Sequence, residues 1–220
     1  MAAGATYGWI RKDVKLWSTL MTGHMSNTVE DLLFVKKYAI PPLPRKQSRV
    51  QEVWWIPPPR GWTKGNIDGS SHGNPGNSGC GGIFRTSRGF VRGSFAWNIG
   101  IETSTVAELC GFIKMIELAS LKSWFLLWVK TDSQVLLAKV RSKSKDVPYQ
   151  LRAKWERALR QLEGKQFSIT HIYREGNQVA DGLANLACTI DDFIWWYQFP
   201  REVASSISRD LVGRPNYRFH

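Results

Sequence analysis

The 220-residue chain reads as an α/β protein, a mixed sheet covered by helices. Three observations predict this class. Three strand-like segments separated by turn signals fall between Lys64 and Asn98. A helical run of apolar residues then spans Thr105 to Lys122. After it, strand and helix signals alternate as strand, helices, strand, helix.

The elements follow in order. Residues 1–53 form an N-terminal extension with one short helix, about Thr28 to Tyr38, capped by Asn27 or Thr28 and carrying Asp31 near its start. Pro41, Pro42 and Pro44 stop that helix, and Arg45, Lys46 and Arg49 make a basic, Pro-rich linker. After Pro57-Pro58-Pro59 the main domain, residues 54–187, opens with a strand at Lys64–Ser70. Asn74-Pro75-Gly76-Asn77 turns the chain into a second strand at Cys80–Arg85, and Thr86-Ser87-Arg88-Gly89 into a third at about Gly89–Asn98. Gly79, Gly81 and Gly82 predict a bulge or a close backbone approach.

Val106, Leu109, Ile113 and Ile116 share one face of the following helix. Trp124–Lys130 is apolar up to its last residue, as a strand buried on both faces would be, and Asp132 stands just past its end. A helix starts near Ser133. Another, after Pro148, carries Trp155, Leu159 and Leu162 on one side. Gln166–Ile172 alternates as a strand, and a last helix after Asn177 holds Asp181, Leu183 and Leu186. Residues 188–220 are an aromatic tail with Trp195, Trp196, Tyr197 and Phe199. The pairs Trp54-Trp55 and Trp195-Trp196 suit packing better than base stacking.

Composition narrows the partners. Hydrophobic residues make up 43% of the chain and charged residues 22%, which fits a folded domain. A formal charge of +12 favours a polyanion, and nucleic acid is the leading candidate. Cys80, Cys110 and Cys188 show no CxxC or His/Cys clustering, so neither a disulfide framework nor a zinc site is expected. The longest apolar run, Trp124–Val129, is far too short for a membrane span. An intracellular setting is expected, in nucleus or cytoplasm, and the basic N-terminus leaves an organelle open.

Four carboxylates stand in contexts suited to metal-dependent phosphodiester hydrolysis. They are Asn66-Ile67-Asp68-Gly69-Ser70, Ala107-Glu108-Leu109, Thr131-Asp132-Ser133-Gln134 and Asn177-Gln178-Val179-Ala180-Asp181. Hard divalent cations take oxygen ligands, and a pair of ions about 3.5–4 Å apart can drive an in-line displacement.

With Asn74-Pro75-Gly76, Gly81-Gly82-Ile83-Phe84-Arg85 and Arg174-Glu175-Gly176-Asn177 added, the chain resembles the type 1 ribonuclease H family over about Trp54–Ala187. It is most similar to the plant ribonuclease H-like domains related to non-LTR retrotransposon reverse transcriptases. The resemblance implies a ribonuclease H-like fold, a five-stranded mixed sheet flanked by helices. It also implies hydrolysis of the RNA strand of an RNA–DNA hybrid with two Mg2+ ions, for which Mn2+ can substitute. The matching catalytic and metal positions are Asp68, Glu108, Asp132 and Asp181.

Substrate contacts are expected from Gly69, Ser70, Asn74, Gln134, Arg174 and Asn177. Amides can both donate to and accept from a 2′-OH. Asn74 reads equally as a turn residue and Asn177 also as a helix cap. His171 has the spacing of the family's loop histidine but falls inside the strand pattern, which favours a structural role over a catalytic one. Between Lys139 and Lys165 nine basic residues face three acids, a surface suited to gripping the hybrid. A monomer is expected. The alternative is a retroelement-derived domain that binds nucleic acid with little or no turnover.

Overall fold

The computed structural model describes Val14, residues 16–18, Leu20, His24, residues 28–44 and residues 49–219. Asn27, Arg45 and Lys46, for which a cap and a linker were expected, lie outside them. The chain divides into two compact units, one ending at Val50 and joined by Phe219, the other Gln51–Arg218.

In the first unit, helix α1 (Val29–Tyr38) begins at Thr28, whose hydroxyl accepts the Asp31 N–H at 3.2 Å. Glu30 and Asp31 in the first turn, and Lys36 and Lys37 in the last, match the helix dipole. Ala39, in the left-handed region at φ 51°, and Pro41 end it.

The second unit is built on a six-stranded sheet. In chain order the elements of residues 50–219 are β1 (Val50–Val53), β2 (Thr63–Gly73), β3 (Gly76–Arg85), β4 (Val91–Glu102), α2 (Ser104–Leu121) and β5 (Leu126–Thr131). They continue with α3 (Gln134–Arg141), α4 (Arg152–Leu162), β6 (Gln166–His171), α5 (Gln178–Ala187), β7 (Phe193–Trp196), α6 (Ala204–Leu211) and β8 (Asn216–Phe219). The sheet order is β6-β5-β2-β3-β4-β7, while β1 and β8 pair separately. β2, β3, β4 and β7 run antiparallel to their neighbours, and β2, β5 and β6 pair in parallel.

The expected mixed sheet is present, with one strand more than expected. The sixth is β7, inside the segment read as an aromatic tail. Its backbone pairs with β4 from Ser94↔Trp196 to Trp97↔Phe193, and Trp195 packs against the main core. Covering the β4 edge satisfies amides that would otherwise face water. β5 also departs from expectation. Its burial alternates, because only Leu127, Val129 and Thr131 enter the core. On its other face Trp128 lies under the ammonium groups of Lys64 and Lys130, at 4.8 and 4.9 Å from the ring centre.

α2 is the central helix of one face. It buries eleven residues, among them Phe112, Met115 and Ile116, against the sheet and against α4. Trp155 of α4 meets Phe112 at 5.4 Å between ring centroids. α5 covers the other face, where Val179 and Leu183 pack with Ile83, Val203 and Ile207.

Glycines set how closely both helices approach. A Cβ on Gly69 would overlap the backbone at Ala107 and Glu108 of α2, and one on Gly81 would overlap Leu183 and Ala184 of α5. Gly79 combines both expected roles: Ala187 crowds it, and the β3–β4 register shifts beside it.

Candidate active site

Asp68 sits on β2, the strand between β3 and β5. Parallel pairing brings Asn66 beside Lys130, and two residues further along each chain stand Asp68 and Asp132. Glu108 belongs to the second turn of α2, brought against β2 by the missing side chain of Gly69. Carboxylate oxygens of Asp68, Glu108 and Asp132 thereby lie within 4.8 Å of one another.

Burial dominates their electrostatics. Asp68 is pushed up to about 7 by burial, then by the charge of Asp132, with Asp181 adding to the shift. Hydrogen bonds from Glu108 and the Gly69 N–H oppose it. Glu108 is raised well above the usual carboxylate range by burial, then by Asp68 and Asp132. Asp132 is raised by burial, against its own backbone N–H, Asn177 and Arg174. Both groups are raised, so the metal-free site keeps a proton above the usual carboxylate range. A bound cation would replace that proton and end the repulsion, and an all-oxygen donor set suits a hard divalent ion.

Asp181 stands apart from this group. Its Oδ1 accepts from Arg174 Nη2 at 2.8 Å and its Oδ2 from Asn185 Nδ2 at 3.1 Å. Its side chain is 28% exposed, against 73% for Arg174. Even so, its charge is felt by both Asp68 and Asp132.

The other expected residues divide into engaged and open. Gly69 makes room for α2. Ser70 donates to Asn185 Oδ1 at 2.6 Å and so supports the residue that holds Asp181. Asn74 accepts the Ser104 N–H at 3.1 Å, tying the β2–β3 turn to the start of α2. Gln134 is exposed at the first turn of α3, beside Asp132, and Ser133 caps that helix through the Leu136 N–H at 3.2 Å.

Asn177 differs from both readings of it. It is 1% exposed, which closes it to direct substrate contact, and its side chain makes no capping bond. Its amide bonds instead to Asn66, to the Ile67 carbonyl and, at 3.4 Å, to Asp132. His171 ends β6, pairs with Thr131 and packs edge-on to Tyr173 at 5.4 Å, as a strand residue does.

Asn66, Asn185, Arg85 and Asp210 complete the surroundings, and none was singled out as a site residue from the sequence. Asn185 is legible only as the residue four after Asp181, one helical turn on. On the basic flank, Lys143, Lys145, Arg152 and Arg160 line a cavity of about 360 Å³ beside Trp155.

Comparison with known proteins agrees with this geometry. Residues 66–187 match the reverse transcriptase-like family. An Arabidopsis thaliana protein named as a candidate ribonuclease H is 32% identical over 172 residues, covering 76% of this chain and 27% of its own length. The chain thus spans about a quarter of that relative. The structure of ribonuclease H1 from Halobacterium salinarum superposes with a TM-score of 0.53 at 30% identity, over 58% of this chain and 97% of that one. The LC11 ribonuclease H1, solved with an RNA/DNA hybrid, gives a TM-score of 0.51 at 25% identity, over 58% and 96%. Matched over more than half its length, and carrying this acidic group on this sheet, the chain belongs to the reverse transcriptase-like family, on a ribonuclease H fold.

Proposed function

We propose that the chain hydrolyses the RNA strand of RNA–DNA hybrids with divalent metal ions, Mg2+ by preference. Asp68, Glu108 and Asp132 would hold one side of the metal site and Asp181 the other. The observation that carries this reading is the convergence of three carboxylates, Asp68 buried and Glu108 and Asp132 half-buried, from β2, α2 and the end of β5. Nothing in core packing calls for three mutually repelling acids at one point. Similarity to ribonuclease H proteins, one of them solved with a hybrid, supports the substrate class. When bound, two ions would supply Lewis-acid activation of water and charge neutralisation at the leaving oxygen.

The chain's own groups do the rest. Asp68 and Glu108, both raised in the metal-free protein, would lose protons as a cation binds. Asp181 would hold a cation in place of Arg174, which would leave Arg174 open to a phosphate of the hybrid. Gln134, exposed beside Asp132, offers an amide to a 2′-OH of the RNA strand. Lys143, Lys145 and Arg152 provide the basic flank for the backbone.

The test is cleavage of hybrids labelled separately on each strand, with Mg2+, by wild type and Asp68→Asn. RNA-strand cleavage lost in the variant supports the reading. Hybrid binding without cleavage by either protein, in Mn2+ as well, overturns it. That outcome would favour the second reading, a binding domain with little turnover, for which the Arg174–Asp181 pair and the strand-bound His171 speak.

A further inference from the structure

A chain of buried hydrogen bonds runs from the C-terminal helix to the acidic group. Asp210 of α6 pairs with Arg85 Nη1 at 2.6 Å, the two side chains being 7% and 1% exposed. Arg85 stacks on the Trp55 ring at 3.7 Å, and its Nη2 donates to Asn66 Oδ1 at 3.2 Å. Trp55 Nε1 donates to the same oxygen at 3.1 Å. Asn66 Nδ2 donates to Asn177 Oδ1 at 2.9 Å. Asn177 Nδ2 in turn donates to the Ile67 carbonyl at 2.9 Å and to Asp132 Oδ1 at 3.4 Å.

The chemistry of the ends dictates the direction of the middle. A guanidinium and an indole N–H can only donate, so the group facing them on Asn66 must be its carbonyl oxygen. Asn66 then presents its NH2 to Asn177, which must answer with its own oxygen. Asn177 is left with its NH2 pointed at Asp132. Turning either amide over would bring donors against donors, or an oxygen against a carboxylate, where water cannot compensate. Both asparagines are 1% exposed.

We propose that Asn66 and Asn177 are positioning residues whose amide polarity, set by Trp55, Arg85 and Asp210, keeps an N–H donor on Asp132 and holds it in line with Asp68. Trp55 and Asp210 both lie outside the matched residues 66–187. Segments flanking the family core therefore complete the site. Outer groups that orient a ligand carboxylate in this way matter almost as much as the ligand itself. The inference rests on the reading of Asp132 as part of the reactive site.

Asn66→Asp is the incisive variant, since it keeps the shape and replaces the amide NH2 facing Asn177 with a carboxyl oxygen. Two measurements are made on the full chain: kcat and KM for hybrid cleavage, and the side-chain amide NMR signals of Asn177 in metal-free protein, assigned by their loss in Asn177→Asp. The expected result is a fall in kcat of about 10–100-fold with KM little changed, together with displaced Asn177 signals. Asp210→Asn and Trp55→Phe, each weakening one support, should move the same signals less, and they serve if Asn66→Asp does not fold. Unmoved Asn177 signals in all three variants overturn the proposal, as does wild-type kcat in folded Asn66→Asp. If wild type itself cleaves nothing, the proposed activity falls while the amide signals still decide the relay.

Discussion

Asp68 and Asp181, which the proposed metal site would bring together, are held in opposite ways. Asp68 is 6% exposed on a central strand, hemmed in by two other carboxylates and by a helix that Gly69 admits. Asp181 is partly open to water and already neutralised by an exposed arginine. The first arrangement stores repulsion that a cation would relieve. The second asks a cation to displace an ion pair of the kind that contributes little at a surface. Rigid packing thus prepares one side of the site, and exchangeable surface bonds the other.

The contrast is broken most severely by pH. Asp68 ionises at about 7 in the fold and about 3.8 when unfolded, so the folded state holds a proton that the unfolded state has lost between those values. Metal-free stability therefore falls as pH rises from about 4 to about 7, by up to a few kcal/mol, and Glu108 acts in the same sense. Buried Lys64, lowered from 10.5 to about 7, works in the higher window, where stability climbs again as pH rises from about 7 to 10.5. Chemical denaturation across pH should find a stability minimum near neutrality in metal-free protein. Added Mg2+ should stabilise more at pH 8 than at pH 6, and equal effects at both would contradict the account.

Gly69→Ala tests the packed side. The new Cβ overlaps the Glu108 amide, so α2 must retreat from β2 at a cost of about 1–3 kcal/mol. Denaturant unfolding should show that loss, and the half-saturating Mg2+ concentration should rise as Glu108 withdraws. A fully active, fully stable variant would mean that the close approach is incidental.

Arg174→Ala probes the exchangeable side, with the smallest effect. Removing an exposed pair of about 0.2–1 kcal/mol leaves stability almost unchanged and lowers the half-saturating Mg2+ by up to about fivefold. Calorimetric titration measures it. Weaker metal binding would instead assign Arg174 to holding Asp181 in place for the ion.

Much of this was legible in the chain, for reasons tied to particular residues. Asp68, Glu108 and Asp132 follow strand and helix signals that local chemistry makes plain, such as Ser133 capping α3 and the turn at Asn74-Pro75-Gly76-Asn77. Gly79 and Gly81 foretold a bulge or a close approach because glycine inside a strand marks one or the other. β7 was hidden, since Phe193–Trp196 is apolar throughout and lacks the alternation that marks a strand. The buried network was hidden for a different reason. Asn66 and Asn177 are 111 residues apart, as are Arg85 and Asp210 by 125, and no local pattern marks such partners. Asn177 read as a substrate contact because an amide beside a catalytic carboxylate invites that role; only its burial shows where the amide is spent.

The most direct test follows RNA-strand cleavage of a labelled hybrid against Mg2+ concentration for wild type, Asp68→Asn and Asp181→Asn at pH 8. The account predicts RNA-only cleavage by wild type, background at every concentration for Asp68→Asn, and activity for Asp181→Asn that is impaired and needs more Mg2+. Cleavage by Asp68→Asn equal to wild type, or none by any of the three proteins, would contradict it.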